Sequence, residues 1–216
     1  MKNVHDETLG LFVDTCHKIA ERGLLRCSCG NLSLRLDEER FLITGTGSWM
    51  NRLRREDAVV CRISDGVVLD GKKPSSEAGF HAGTLRVRPN VNAVLHFQSP
   101  YATALACRRG DAIDYAVIPE IPYYIGSIAR VPYLRPGSTE LAEAVTEAMR
   151  SHDMALLANH GQVTAARDLD QAIQNAEFFE LACQILWIGG NAVAAMPPEE
   201  SEHLRRLRAE RSARAV

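Results

Sequence analysis

Val94-Leu95-His96-Phe97-Gln98-Ser99 is the stretch from which the rest of the chain can be read. It is apolar apart from one histidine, and it ends in polar residues just before Pro100. Such a run reads as a buried strand, and alternation along a strand points His96 and Gln98 to the same side. A second apolar run, Met154-Ala155-Leu156-Leu157-Ala158, leads into Asn159-His160-Gly161. Each run thus brings a histidine to the end of a core strand, beside turn residues, where metal ligands are commonly placed. A histidine taken singly is more often a partly buried group bonded to backbone. Glu77, in Lys73-Pro74-Ser75-Ser76-Glu77, is the third candidate. Two imidazoles, a carboxylate and an amide oxygen would make an open, catalytic metal site rather than a closed structural one.

Composition bounds the rest. The chain has 216 residues, 46 % hydrophobic and 24 % charged, which suits one globular domain spanning residues 1–216. A formal net charge of −2 offers no general attraction to nucleic acid or an anionic membrane. No apolar run approaches the length of a membrane span, and the first residues, Met1 to Glu7, lack the apolar core of a signal peptide. The expected location is the cytoplasm. There Cys16, Cys27, Cys29, Cys61, Cys107 and Cys183 are expected to be reduced structural thiols.

Along the chain, Leu9, Phe12, Cys16 and Ile19 recur at helical spacing over residues 6–22, with Gly23 placed to end the helix. Leu32, Leu34 and Leu36 alternate with Ser33 and Arg35, predicting a half-buried strand that turns back into Phe41-Leu42-Ile43-Thr44. Strands are expected over Ala58 to Ile63 and Val67 to Leu69, joined through Asp65-Gly66 in a type I′ turn. Ser75 or Ser76 is expected to cap a helix carrying Glu77 in its first turn, and Pro89 to stop it. Four prolines break every pattern over residues 111–136. Ser138 or Thr139 starts another helix. Asp168 with Gln171 resembles a capping box opening a long helix that ends at Gly189-Gly190. The pattern implies an α/β fold, a mainly antiparallel central sheet with helices on both faces.

Three segments combine backbone amides with small or hydroxylated residues: Gly30-Asn31, Thr46-Gly47-Ser48 and Ser75-Ser76. Glycine allows close backbone approach, so a phosphate could be cradled there without a basic cluster. Singly, each is also an ordinary turn.

Together, Gly30-Asn31-Leu32-Ser33, Ile43-Thr44-Gly45-Thr46-Gly47, Lys73-Pro74-Ser75-Ser76-Glu77, Val94-Leu95-His96, Pro132-Tyr133, Gly137-Ser138-Thr139-Glu140-Leu141 and Asn159-His160-Gly161 give the chain a resemblance to the class II aldolase/adducin family. It runs from the first helix to Gly190, and the spacing is closest to the fuculose-phosphate aldolase branch. The resemblance implies a divalent ion, zinc above all, at Glu77, His96 and His160, and a phosphate cradle of Gly30, Asn31, Thr46, Gly47, Ser75 and Ser76. It implies a homotetramer that cleaves a phosphorylated ketose such as L-fuculose 1-phosphate into dihydroxyacetone phosphate and an aldehyde. The carboxylate at position 77 would serve as acid/base. The same scaffold also serves epimerases, dehydratases and the non-catalytic adducin head.

The chain departs from the family pattern in two places. The family has His-x-His where this chain has His96-Phe97-Gln98, so Gln98 offers only a neutral amide oxygen as a weak fourth ligand. The tyrosine that fuculose-phosphate aldolase carries near its C-terminus has no counterpart, since the last tyrosine here is Tyr133. Glu120, Tyr123 and Tyr124 are the candidates for a second acid/base, and His81 could support Glu77 from one helical turn away.

Overall fold

Strand β5 (Ala93–Phe97) is the centre around which the protein is built, and all five of its residues are buried. The computed structural model describes residues 4–109 and 113–214. β5 pairs antiparallel on one side with β1 (Asn31–Arg35) and on the other with β8 (Gly161–Ala166). Beyond β1 lie β2 (Arg40–Thr44), β3 (Ala58–Arg62) and the short edge strand β4 (Val68–Asp70). Beyond β8 lie β7 (Met154–Leu157) and β6 (Ile128–Val131). Every pairing in this eight-stranded sheet is antiparallel except β6 with β7.

Both faces of the sheet are covered, as the apolar pattern requires. Leu32, Leu95 and Phe97 pack towards α1 (Asp6–Glu21), α3 (Pro100–Ala106) and α5 (Leu169–Gly189). Ile43, Val94 and Val163 pack towards α2 (Ala78–Val87) and α4 (Thr139–Met149) on the other face. His96 follows Val94 in the alternation and therefore faces the α2 side. The last helix, α6 (Pro198–Arg214), lies against the segment 121–125. No helix among the described residues is long and apolar enough to cross a membrane.

Several local expectations are corrected. β1 is not half-buried in simple alternation: Ser33 is fully buried because α2 covers the sheet face it points to. The turn between β3 and β4 is not type I′, since Gly66 alone of the Asp65-Gly66 pair has positive φ and its N–H bonds back to Arg62 O. α2 starts at Ala78, and Glu77 itself occupies the N-cap position. Ser75 instead accepts a hydrogen bond from the Glu77 N–H through its Oγ, at 3.2 Å. Asp168 does cap α5, but Gln171 accepts from the Arg167 N–H rather than completing a box with Asp168. Ser138 caps α4 as expected. The proline-rich segment holds a π-helical turn over Ile121–Ile125 and then β6, which the local pattern did not reveal.

Candidate active site

The two histidines reach one point because β5 and β8 run side by side. His96 lies opposite Val163, and Phe97 opposite Gln162, so the end of β5 meets the start of β8. His160 occupies the tight turn between β7 and β8. The Asn159 N–H bonds to Ala106 O, the His160 N–H bonds to Leu157 O, and Asn159 takes a left-handed φ of 54°. Gly161 is needed for this approach. A Cβ there would lie 2.7 Å from Phe97 O and 3.1 Å from His96 Cε1, closer than real side chains tolerate.

Glu77 arrives from the end of α2. Its Oε2 lies 3.4 Å from His96 Nε2, and its Oε1 lies 3.3 Å from His160 Nε2. The candidate ligand atoms of Glu77, His96 and His160 all fall within 4.8 Å of one another, the one such cluster of histidine, cysteine and acidic groups among the described residues. The polar bookkeeping fits a cation at that point. His96 Nδ1 is 2.9 Å from Gln162 O, which can only accept. Nδ1 therefore carries the hydrogen, and the ring presents Nε2 to a carboxylate oxygen. Glu77 Oε1 and His160 Nδ1 are buried with no hydrogen-bond partner among the described residues. Burial pushes the His160 pKa down, His96 adds to this, and Glu77 opposes it. Two imidazole nitrogens facing two carboxylate oxygens are a donor set that a divalent ion would satisfy.

All the residues of the expected phosphate cradle border the same hollow. Gly30, Asn31, Thr46, Gly47, Ser75 and Ser76 line it together with Glu77, His96, Gln98 and His160. The loops are tied to each other by backbone: Gly45 bridges Pro74, Thr46 N–H bonds to Lys73 O, and Ser75 N–H bonds to Thr44 O. Those two amides are thereby spent, and the hydroxyls of Thr46, Ser48, Ser75 and Ser76 also line the hollow. Among the described residues, no lysine or arginine lines this hollow. Gln98 lies just past the end of β5, half-buried at its wall.

The candidates for a second acid/base lie elsewhere. Tyr124 stacks on Phe178 of α5, and Arg211 of α6 sits over the rings of Tyr123 and Tyr124. Neither tyrosine lines the hollow, nor does Glu120. His81 supports Glu77 from one helical turn away, as expected, but through Asn31. It bonds to Asn31 and Ser33 and not directly to Glu77. Ser33 and the side-chain role of Asn31 were missed, because they depend on pairing across 46 to 50 positions of sequence.

Comparison with known proteins decides the family. Residues 11–187 match the profile of the Class II Aldolase and Adducin N-terminal domain. This chain belongs to the class II aldolase and adducin family. A 3-oxo-tetronate 4-phosphate decarboxylase of Haemophilus influenzae is 38 % identical over 180 residues, covering 82 % of this chain and 85 % of the relative. An L-fuculose phosphate aldolase of Methanococcus maripaludis is 34 % identical, covering 85 % of this chain and 97 % of the relative. Among solved structures, YgbL of Klebsiella pneumoniae, for which aldolase, epimerase and decarboxylase roles have been considered, superposes with a TM-score of 0.87. It is 30 % identical over 92 % of this chain and 98 % of its own. An L-fuculose 1-phosphate aldolase superposes with a TM-score of 0.81 at 28 % identity, over 94 % of this chain and 96 % of its own. The relatives are enzymes, and this chain is an enzyme of the same metal-dependent carbon–carbon lyase class.

Proposed function

We propose that the protein decarboxylates a phosphorylated 3-oxo acid of the 3-oxo-tetronate 4-phosphate type, using zinc held by Glu77, His96 and His160. Cleavage of a phosphorylated ketose, which the motifs alone favour, is the second reading. The similarity to 3-oxo-tetronate 4-phosphate decarboxylases supports the first.

The observation that carries the choice is the 38 % identity, over 82 % of this chain, to a 3-oxo-tetronate 4-phosphate decarboxylase; among the described residues, Glu77 is the carboxylate that lines the hollow. Aldol cleavage must take a proton from the hydroxyl that becomes the aldehyde, and later return a proton to carbon. Loss of carbon dioxide from a 3-oxo acid needs only the second of these. The electron pair of the breaking bond passes to the ketone oxygen, carbon dioxide departs, and the carbon left behind takes one proton. That proton must come from solvent, and Glu77, whose Oε1 is buried without a hydrogen-bond partner among the described residues, would relay it from a water to the carbon. A bound divalent ion would polarise the ketone and take up the developing charge as a Lewis acid.

The hydroxyls of Thr46, Ser48, Ser75 and Ser76 hold the phosphate, with Gly30 and Gly47 letting it approach the backbone and Asn31 at the same wall. Gln98 acts as a weak fourth ligand or stands one water away. The assembly is a homotetramer, and exposed Leu181, Trp187 and Ile188 on α5 are candidates for burial in it. The test is to supply zinc-loaded protein with 3-oxo-tetronate 4-phosphate and, separately, L-fuculose 1-phosphate. Carbon dioxide release from the first, lost in Glu77→Gln, is expected. Aldehyde release from the second with no carbon dioxide from the first would restore the aldolase reading.

A further inference from the structure

We propose that Ser33, His81 and Asn31 are positioning residues for Glu77, forming a one-way hydrogen-bonded line that holds Oε2 and leaves Oε1 unbonded. The inference rests on the reading of Glu77 as metal ligand and acid/base. The line runs from β1 to α2 and back, and every member is buried.

Its direction follows from the group at its end. A carboxylate oxygen only accepts, so Asn31 turns its Nδ2–H to Glu77 Oε2, at 2.9 Å. Asn31 Oδ1 then faces His81 Nε2 at 2.5 Å, and that nitrogen must carry the hydrogen. Burial pushes the His81 pKa well below its ordinary value, with His96 contributing, so the ring is neutral. Its Nδ1 lone pair therefore accepts a hydrogen bond from the Ser33 hydroxyl, at 2.7 Å. Each donor meets an acceptor along the whole line, in surroundings where one mismatch would be expensive. Asn31 and Ser33 are alternate residues of β1 and share a face, while His81 lies one turn beyond Glu77 on α2. The His81 ring is stacked on Phe80, with centroids 4.8 Å apart. The two oxygens of Glu77 are thereby made unlike, one bonded by Asn31 and the other without a partner.

The test uses the full chain stripped of metal. Zinc chloride and manganese chloride are titrated calorimetrically into wild type, His81→Phe, His81→Gln and Ser33→Ala, with thermal unfolding in parallel. His81→Phe keeps the ring packing and loses both hydrogen bonds. It should weaken ion binding about 10- to 100-fold, and lower kcat on the phosphorylated 3-oxo acid similarly with KM unchanged, as loss of an outer partner does. His81→Gln can still offer an N–H to Asn31 Oδ1 and should recover most of both losses. Nitrogen-15 spectra of the histidines should show His81 as the Nε2–H tautomer in wild type and also in Ser33→Ala, where Asn31 Oδ1 still accepts from it. An Nδ1–H tautomer in wild type would overturn the proposal, and so would unchanged ion affinity in Ser33→Ala or in a folded His81→Phe. Should His81→Phe not fold, Ser33→Ala and the tautomer decide. If wild type binds ions and the variants bind alike, only the positioning role falls. If wild type binds neither ion, the reading of the site falls and takes this proposal with it.

Discussion

Glu77→Gln should stabilise the metal-free protein and destabilise it, relative to wild type, once metal is present. In the metal-free fold the carboxylate is buried between two imidazole nitrogens at 3.3 and 3.4 Å, and Oε1 has no partner. An unsatisfied buried acceptor costs about 1–3 kcal/mol. A glutamine side chain fits the same space, with its oxygen on the Asn31 Nδ2–H and its N–H₂ turned to His160 Nε2, whose ring is free to carry its hydrogen on Nδ1. Removing the mismatch and adding a neutral hydrogen bond should together gain about 2 kcal/mol. For a chain of this length that raises the melting temperature by about 4–8 °C. Ion binding then acts more strongly on wild type, adding about 2.7 kcal/mol when the free ion stands at 100 times its dissociation constant, and much less on a variant that has lost the anionic ligand. The melting curves should therefore change order between chelator and saturating zinc. Thermal unfolding by circular dichroism in both conditions measures this. A variant less stable than wild type in chelator would refute the reasoning, because the carboxylate would then be well accommodated without a cation.

Gln98→His should tighten zinc binding, since Zn²⁺ prefers imidazole nitrogen to a neutral amide oxygen, and calorimetry would show it as a lower dissociation constant. Ser75→Asp should abolish binding of phosphorylated ligands by putting a like charge into the hollow it lines, while inorganic phosphate titrated into wild type still registers. Gly83→Ala should destabilise by about 1 kcal/mol in urea unfolding, although alanine ordinarily stabilises a helix interior by a similar amount. The added methyl would meet Thr146 Oγ1 at 2.0 Å, where α2 crosses α4. A net gain there would mean that Thr146 turns aside freely.

The parts of the fold that were legible in the sequence are those whose periodicity is local. α1, α4 and α5 each carry an apolar stripe between clear start and stop signals, and β5 is apolar throughout because both its faces are covered. β6 was not legible. It is four residues long, lies at the sheet edge, and pairs in parallel with a strand more than twenty positions away. Nothing in Ile128-Ala129-Arg130-Val131 announces that partner. The same limit governs the site. His96 and His160 could be picked out because each ends an apolar run, and Glu77 because it follows paired serines. Ser33 looked like the polar side of an alternating strand, since covering by a distant helix leaves no local signal.

The three proposed ligands are held with unequal firmness, and this agrees with the roles assigned to them. His96 sits inside a strand paired on both sides, with its ring fixed by Gln162 O. His160 is anchored by backbone bonds to α3 and β7 through its turn, and Gly161 lets it close on β5. Glu77 stands at a helix end, with no side-chain bond to its own helix backbone, and a single hydrogen bond from Asn31 restrains its carboxylate. Two rigid imidazoles with one lightly tethered carboxylate can keep an ion in place while the carboxylate moves aside. A group that must leave the ion to deliver a proton to carbon needs that freedom. A pair of firmly held ligands elsewhere is what makes it affordable without losing the metal.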